Sequence, residues 1–286
     1  MSNILGCLRI RQWTKNLLIF AALIFSNHAH QMSYVLKSLI AFFLFSLCAG
    51  ALYTFNDIID AENDRGHPVK KNRPIASGKI TVRTAWVVFL FTGVFSLVMS
   101  FLFHPPFGIV IVSYCILQIL YTFFLKKIVI VDVFAISFGF ILRVVAGALA
   151  IDVVISNWIV ICTMLLALFL ALSKRRHELV LLETNADDHR MILKEYSPYL
   201  LDQMIGIVTS ATLVAYTIFA LSEETTAKFG NMVLTVPFVL YGIFRYLYLI
   251  HIKDKGGQPE EILLTDIPLQ VDIILYGLVA LAVIYL

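Results

Sequence analysis

Asn56, Asp57, Asp60, Glu62 and Asp64 close a long apolar run, and Lys70, Lys71 and Arg73 follow them directly. If the run's helix continues a turn or two, Asp57, Asp60 and Asp64 fall at i, i+3 and i+7. Three carboxylates then share one face, about one turn apart. Like charges stacked this way repel, and the negative end of the helix dipole adds to the cost. A hard divalent cation offsets both; Mg²⁺ takes oxygen ligands, usually one or two carboxylates plus substrate phosphates. The plain alternative is a solvated acidic helix end. The basic block favours the metal, because carboxylate-held metal beside Lys and Arg suits a diphosphate. Gly66 and Pro68 are expected to end the helix between the two blocks. Lys70 and Lys71 serve equally well as simple membrane-side anchors, whereas Arg73, pinned by Pro74, reads as a ligand.

Other polar residues break the apolar pattern. Arg143 falls inside a hydrophobic run, where an ionisable group is costly and by default functional. It is either a phosphate ligand or half of a structural ion pair with Asp132. Tyr121 and Lys126 end another run and can touch a donor, or act as belt tyrosine and snorkelling lysine. Lys174 and Glu178 stand at i, i+4 and can simply pair with each other. Glu260, Glu261 and Asp266 follow Gly256-Gly257, as closing groups or as an ordinary loop and helix start. His28, His30, His67, His177 and His189 show no metal-ligand spacing.

The elements that carry these residues are set by composition. The 286 residues are 60% hydrophobic and 14% charged, with a mean hydropathy of +0.87. Soluble domains are about half apolar and a quarter charged, so the chain reads as an integral membrane protein. Cys7, Cys48, Cys115 and Cys162 form no C-x-x-C pair and read as reduced packing thiols, not a disulfide frame or zinc site. No signal-peptide cleavage pattern is apparent, so the first apolar run is expected to be retained.

Nine runs predict nine transmembrane helices in one all-α bundle, a single domain over residues 1–286. They begin near Trp13, Tyr34, Thr84, Phe107, Ile128, Asn157, Pro198, Phe229 and Ile267. His104-Pro105-Pro106 breaks the third from the fourth, Ser156 and Asn157 offer cap chemistry to the sixth, and Pro198 suits a first helical turn. Lys and Arg concentrate in alternate segments: Arg9 to Lys15, Arg65 to Arg83, Lys126-Lys127, Lys174 to Lys194, and Lys253 with Lys255. The intervening loops hold only Lys37 and Lys228. The positive-inside bias then puts the N-terminus and the acidic cluster in the cytoplasm and the C-terminus outside.

NDIIDAEND with NRPIASG resembles the N-D-x-x-D-x-x-x-D and R-P-x-x-x-G signature of the UbiA-type intramembrane prenyltransferase superfamily. The resemblance implies nine membrane helices and aspartates that bind Mg²⁺–diphosphate. Aromatic prenyltransferases of this superfamily carry a second aspartate-rich motif in the second long polar loop. Here that loop holds adjacent Asp187 and Asp188, which diverge by about 100° on a helix, and its start offers Lys174, Arg175 and Glu178. With RQWTKN, HPVKKNRPIASG, SKRRHEL and GGQPEEILLTD, the chain is most similar to the decaprenyl-phosphate phosphoribosyltransferase branch, a cell-wall pathway. That branch implies transfer of 5-phosphoribose from phosphoribosyl diphosphate (PRPP) to a polyprenyl phosphate in a bacterial-type inner membrane. On this reading Asp57, Asp60 and Asp64, helped by Asn56, hold Mg²⁺, while Lys15, Arg73, Lys174 and Arg175 bind phosphates. The acceptor is already an anion, so no strong general base is needed. A nucleic-acid partner is not expected, and a homo-oligomer is compatible with the sequence. The rivals are an aromatic prenyltransferase using a polyprenyl diphosphate, and a transporter or non-catalytic lipid-binding protein.

Overall fold

The computed structural model describes residues 2–66, 70–184, 191–253 and 259–285, and every regular element among them is helical. In chain order the α-helices are α1 (Ser2–Cys7), α2 (Ala21–Phe25), α3 (Met32–Ile59), α4 (Ala61–Gly66), α5 (Val82–Phe103), α6 (Pro105–Phe123) and α7 (Val131–Ala150). They continue with α8 (Asn157–Thr184), α9 (Pro198–Leu221), α10 (Glu223–Phe229), α11 (Val236–His251), α12 (Pro259–Thr265) and α13 (Ile267–Tyr285). Among the described residues, eight segments are long and apolar enough to cross a bilayer, built on α3, α5, α6, α7, α8, α9, α11 and α13. The first of the nine expected runs folds differently. Ile10–Phe20 is a 3₁₀ helix and Ala21–Phe25 a single α turn, and this segment is not among the eight.

The expected breaks fall where the local chemistry put them. His104 stands between α5 and α6 with Pro105 and Pro106 opening the latter, and Ser156 Oγ accepts from Trp158 N–H at the start of α8. Ser197 caps α9 through Leu200 N–H, one residue before Pro198. His67, Asp187, Asp188 and His189 lie outside the described residues.

The chain divides into two compact units, residues 1–125 with 139–155, and residues 126–138 with 156–286. In the first, Ala41, Leu44, Phe45, Cys48, Ala49 and Leu52 of α3 pack against Phe107, Val110, Ile111 and Tyr114 of α6. The segment from Ile10 to Phe25 lies antiparallel along α3. Thr54 Oγ1 donates to the Cys7 carbonyl at 3.2 Å, Asn16 Nδ2 to Ser46 Oγ at 2.9 Å, and Phe20 meets Phe42 at 5.5 Å. Gly147 permits the approach of this segment to α7: a Cβ there would stand 2.0 Å from the Ile19 carbonyl oxygen. Val87, Phe91, Val94, Val98 and Leu102 leave one face of α5 exposed and wholly apolar, the stripe a helix turns to lipid.

The second unit closes on Leu168, Phe169 and Leu172 of α8, Leu201 and Ile205 of α9, Tyr246, Leu249 and Ile250 of α11, and Leu269 of α13. Ile192, Leu193 and Tyr196 from the loop before α9 complete that core.

Candidate active site

The acidic motif sits where α3 ends. The single continued helix expected from the sequence is interrupted: α3 stops at Ile59, Asp60 caps it, and α4 restarts at Ala61. Hydrogen bonds of helical spacing bridge the break, Asp60 N to Asn56 O at 2.9 Å and Asp64 N to Asp60 O at 2.8 Å. Asp57 and Asp64 are therefore still brought together, both buried, while Asp60 stays half-exposed. Arg73 joins the pair: its Nη1 is 3.1 Å from Asp57 Oδ1 and 2.5 Å from Asp64 Oδ2. The loop positions Arg73 by local means. Ile75 is buried with Cys7, Ala61, Ile80 and Ala85, and Gly78 supplies a left-handed turn at φ +74°. Asn56 is tied to α6, its Oδ1 accepting from Thr122 Oγ1 at 2.6 Å, one residue past the half-buried Tyr121.

Sequence reasoning missed Arg9, counting it only as a topology charge. Its Nη2 donates to Asp57 Oδ1, and its guanidinium lies 5.4 Å from the centre of the Tyr53 ring. Asp57 thus receives two arginines on one oxygen, while its Oδ2 is buried with no hydrogen-bond partner among the described residues. No three His, Cys, Asp or Glu side chains converge closely enough to hold a metal by themselves among those residues. The expected three-carboxylate set is thus not assembled; the gathered pair is Asp57 and Asp64.

A second cluster forms within the other unit. Arg175 donates from Nε to Asp132 Oδ2 and from Nη1 to Glu178 Oε2, each at 2.7 Å. Tyr196 Oη donates to Asp132 Oδ1 at 2.8 Å and accepts from Ile130 N–H at 2.7 Å, across a turn where Ile130 holds φ +69°. Burial pushes the Tyr196 phenol up to about 12, so it remains a donor throughout the working pH range. Asp132, offered by the sequence only as the alternative partner of Arg143, is the other residue whose role was missed; an acid in the first turn of an apolar helix, five residues after Lys127, was the available signal.

The pattern of the UbiA prenyltransferase family matches residues 17–261. The chain belongs to that family. Two decaprenyl-phosphate phosphoribosyltransferases are similar to it. That of Mycolicibacterium smegmatis is 33% identical, covering 95% of this chain and 89% of its own length. That of Corynebacterium glutamicum is 33% identical over 94% and 82%. A solved UbiA homolog from Archaeoglobus fulgidus, bound to GPP and Mg²⁺, shares the fold with a TM-score of 0.73 at 18% identity, over 99% of this chain and all of that one.

This UbiA chain is thus a multi-pass membrane transferase, and Arg9 and Lys15 precede the segment that the family pattern covers. Lys15, half-buried, rides the 3₁₀ helix, and Lys70 and Lys71 form a short 3₁₀ turn before Arg73. Lys126 lies in the turn Leu125–Lys127, and half-buried Lys174 directly precedes Arg175 on α8. Arg143 does not meet Asp132, which Arg175 takes. Instead Arg143 donates to Asn16 Oδ1, the Gly139 carbonyl and Tyr114 Oη at 2.6–2.9 Å, and its guanidinium carbon stands 5.0–5.5 Å from the ring centres of Phe45, Tyr114 and Phe140. Buried among neutral dipoles and ring faces, it stitches the 3₁₀ helix to α6 and α7, a structural post. Asp266 is the helix-start group of its two options: it caps α13 through Leu269 N–H and receives Arg245 in bidentate fashion at 2.9 and 3.1 Å.

Proposed function

We propose that this protein transfers 5-phosphoribose from PRPP to a polyprenyl phosphate and releases diphosphate, with Mg²⁺ held at Asp57 and Asp64. The observation that supports the reading is the similarity, over 94–95% of this chain, to relatives named decaprenyl-phosphate phosphoribosyltransferase. The orphaned Asp57 Oδ2 supports the metal, since a buried carboxylate oxygen without a donor suits a hard cation. Two carboxylates suffice where substrate phosphates complete the shell; Asp60, at the helix break, is the outer third. The metal, when bound, neutralises the leaving diphosphate.

The chain's own residues do the rest. Arg73 and Lys15 bind diphosphate oxygens, and Lys70, Lys71, Lys126 and Lys174 supply charge for the remaining phosphates. Arg175, buried between Asp132 and Glu178, is a positioning residue that fixes the half-exposed Glu178, which we assign to donor binding. Asn56, fixed by Thr122, and Tyr121 beside it line the same end of α3 and α6. As the bond from ribose C1 to diphosphate breaks, an oxygen of the anionic lipid phosphate forms the new bond to C1.

The topology we propose has nine crossings with the N-terminus cytoplasmic. At about 2.0 Å per 3₁₀ residue and 1.5 Å per α residue, Ile10–Phe25 measures roughly 30 Å, the thickness of a hydrocarbon core.

Purified protein in lipid nanodiscs, given labelled PRPP and decaprenyl phosphate, should yield a phosphoribosylated lipid and diphosphate. Chelation should stop turnover, and Asp57→Asn should lower it at least about 100-fold without loss of fold. Consumption of a polyprenyl diphosphate with an aromatic acceptor, and none of PRPP, would overturn the reading.

A further inference from the structure

Asp57 carries its two arginines in an unusual way. Guanidinium and carboxylate usually meet as two parallel bonds that use both oxygens. Here Arg9 and Arg73 both reach Oδ1, and Oδ2 stays bare in a buried position. Arg73 also serves Asp64, so two arginines and two aspartates already balance in charge. The open oxygen invites a cation, yet a divalent ion arriving alone would stand beside two guanidiniums with no charge left to offset it. A divalent ion arriving with a diphosphate meets no such opposition. The diphosphate brings more negative charge than one such ion removes, and the displaced arginines turn to its oxygens.

Resting on the metal reading above, we propose that Arg9 makes metal binding conditional on diphosphate: it holds Asp57 in the empty enzyme and transfers to the diphosphate when metal and substrate arrive together. The side chain is built for that movement. It is 27% exposed, against 2% for Arg175, which is locked between two carboxylates. Tyr53 lies one turn before Asp57 on α3, and its ring face keeps a detached guanidinium close by. The backbone at Arg9 is left-handed at φ 48°, a conformation a non-glycine residue keeps only where its surroundings enforce it, as at ligand clamps. Coupling of this kind is reciprocal: whatever diphosphate does for metal affinity, metal does for diphosphate affinity.

Mn²⁺ binding tests it, read from the spin-resonance signal of the free ion with substrate-free protein, with and without inorganic diphosphate. Wild-type protein should bind Mn²⁺ weakly alone and at least about 10-fold more tightly with diphosphate, within the usual range of such couplings. Arg9→Gln should tighten Mn²⁺ alone by a similar factor, weaken diphosphate, and flatten the difference; Arg9→Lys, which keeps the charge, should behave as wild type. Thermal unfolding verifies that each variant is folded. If Arg9→Gln leaves Mn²⁺ affinity unchanged or lowers it, the inference is overturned while the metal site stands. If wild-type protein binds no Mn²⁺ even with diphosphate, the metal reading fails and takes this inference with it.

Discussion

Arg73 and Arg175 carry the same charge under opposite conditions. Arg73 keeps 27% of its side chain accessible and its carboxylate partners have an oxygen to spare; Arg175 keeps 2% and bridges Asp132, itself fully buried, to Glu178. Removing one partner from a buried ion pair leaves the other charge uncompensated, at a cost of roughly 3–5 kcal/mol. Arg175→Gln should therefore destabilise the protein by about that much in detergent unfolding experiments. Glu178→Gln, at a side chain 26% exposed, should change stability by less than about 1 kcal/mol and raise the KM for the donor instead. Equal unfolding temperatures for Arg175→Gln and wild type would show that the buried Arg175–Asp132 pair carries no such weight. The sequence set Glu178 beside Lys174 at i, i+4, and Arg175, three residues before Glu178 on the same helix, is a neighbour that donates to it. The sequence could not place Asp132 or Tyr196 with them, because those partners, 43 and 64 positions from Arg175 and Asp132 respectively, are chosen by tertiary packing.

At the scale of elements, the legible features were those that local chemistry decides: the double proline that opens α6, the Ser156 cap, the Ser197-Pro198 start of α9. Two features were not legible. The break at Asp60 keeps Asp57 and Asp64 together but leaves the middle acid half-exposed, and no proline or glycine announces it. The 3₁₀ winding of Ile10–Phe20 comes with long-range contacts that no local signal announces, Asn16 on Ser46 and Arg143 and the backbone approach at Gly147. That contact is testable. With its Cβ 2.0 Å from the Ile19 carbonyl oxygen, Gly147→Ala must push the segment off α7, costing about 1–3 kcal/mol or more. Gly277→Ala, where no atom lies within 4 Å, should be neutral. Matching melting curves for the two variants would mean that the close approach carries no weight.

At the scale of the whole chain, the parity of crossings rests on one segment. Eight crossings would return both termini to one side; with Ile10–Phe25 as a ninth they part. Its contacts follow α3 from Arg9 on Asp57 at one end to Ala22 and Leu23 near Tyr34 and Val35 at the other, so it covers the depth that α3 covers. Charge argues the same way. If the segment failed to cross, Arg9, Arg11 and Lys15 would sit opposite Arg65, Lys70, Lys71 and Arg73, against the positive-inside bias and against the Arg9–Asp57 contact. In a background with Cys7, Cys48, Cys115 and Cys162 replaced, His30→Cys should react with a membrane-impermeant maleimide in intact cells. Lys71→Cys should react only after permeabilisation, and a phosphatase fused after Leu286 should be active outside. Arg11→Cys should also react only after permeabilisation; its labelling in intact cells alongside His30→Cys would remove the ninth crossing and put both termini on one face.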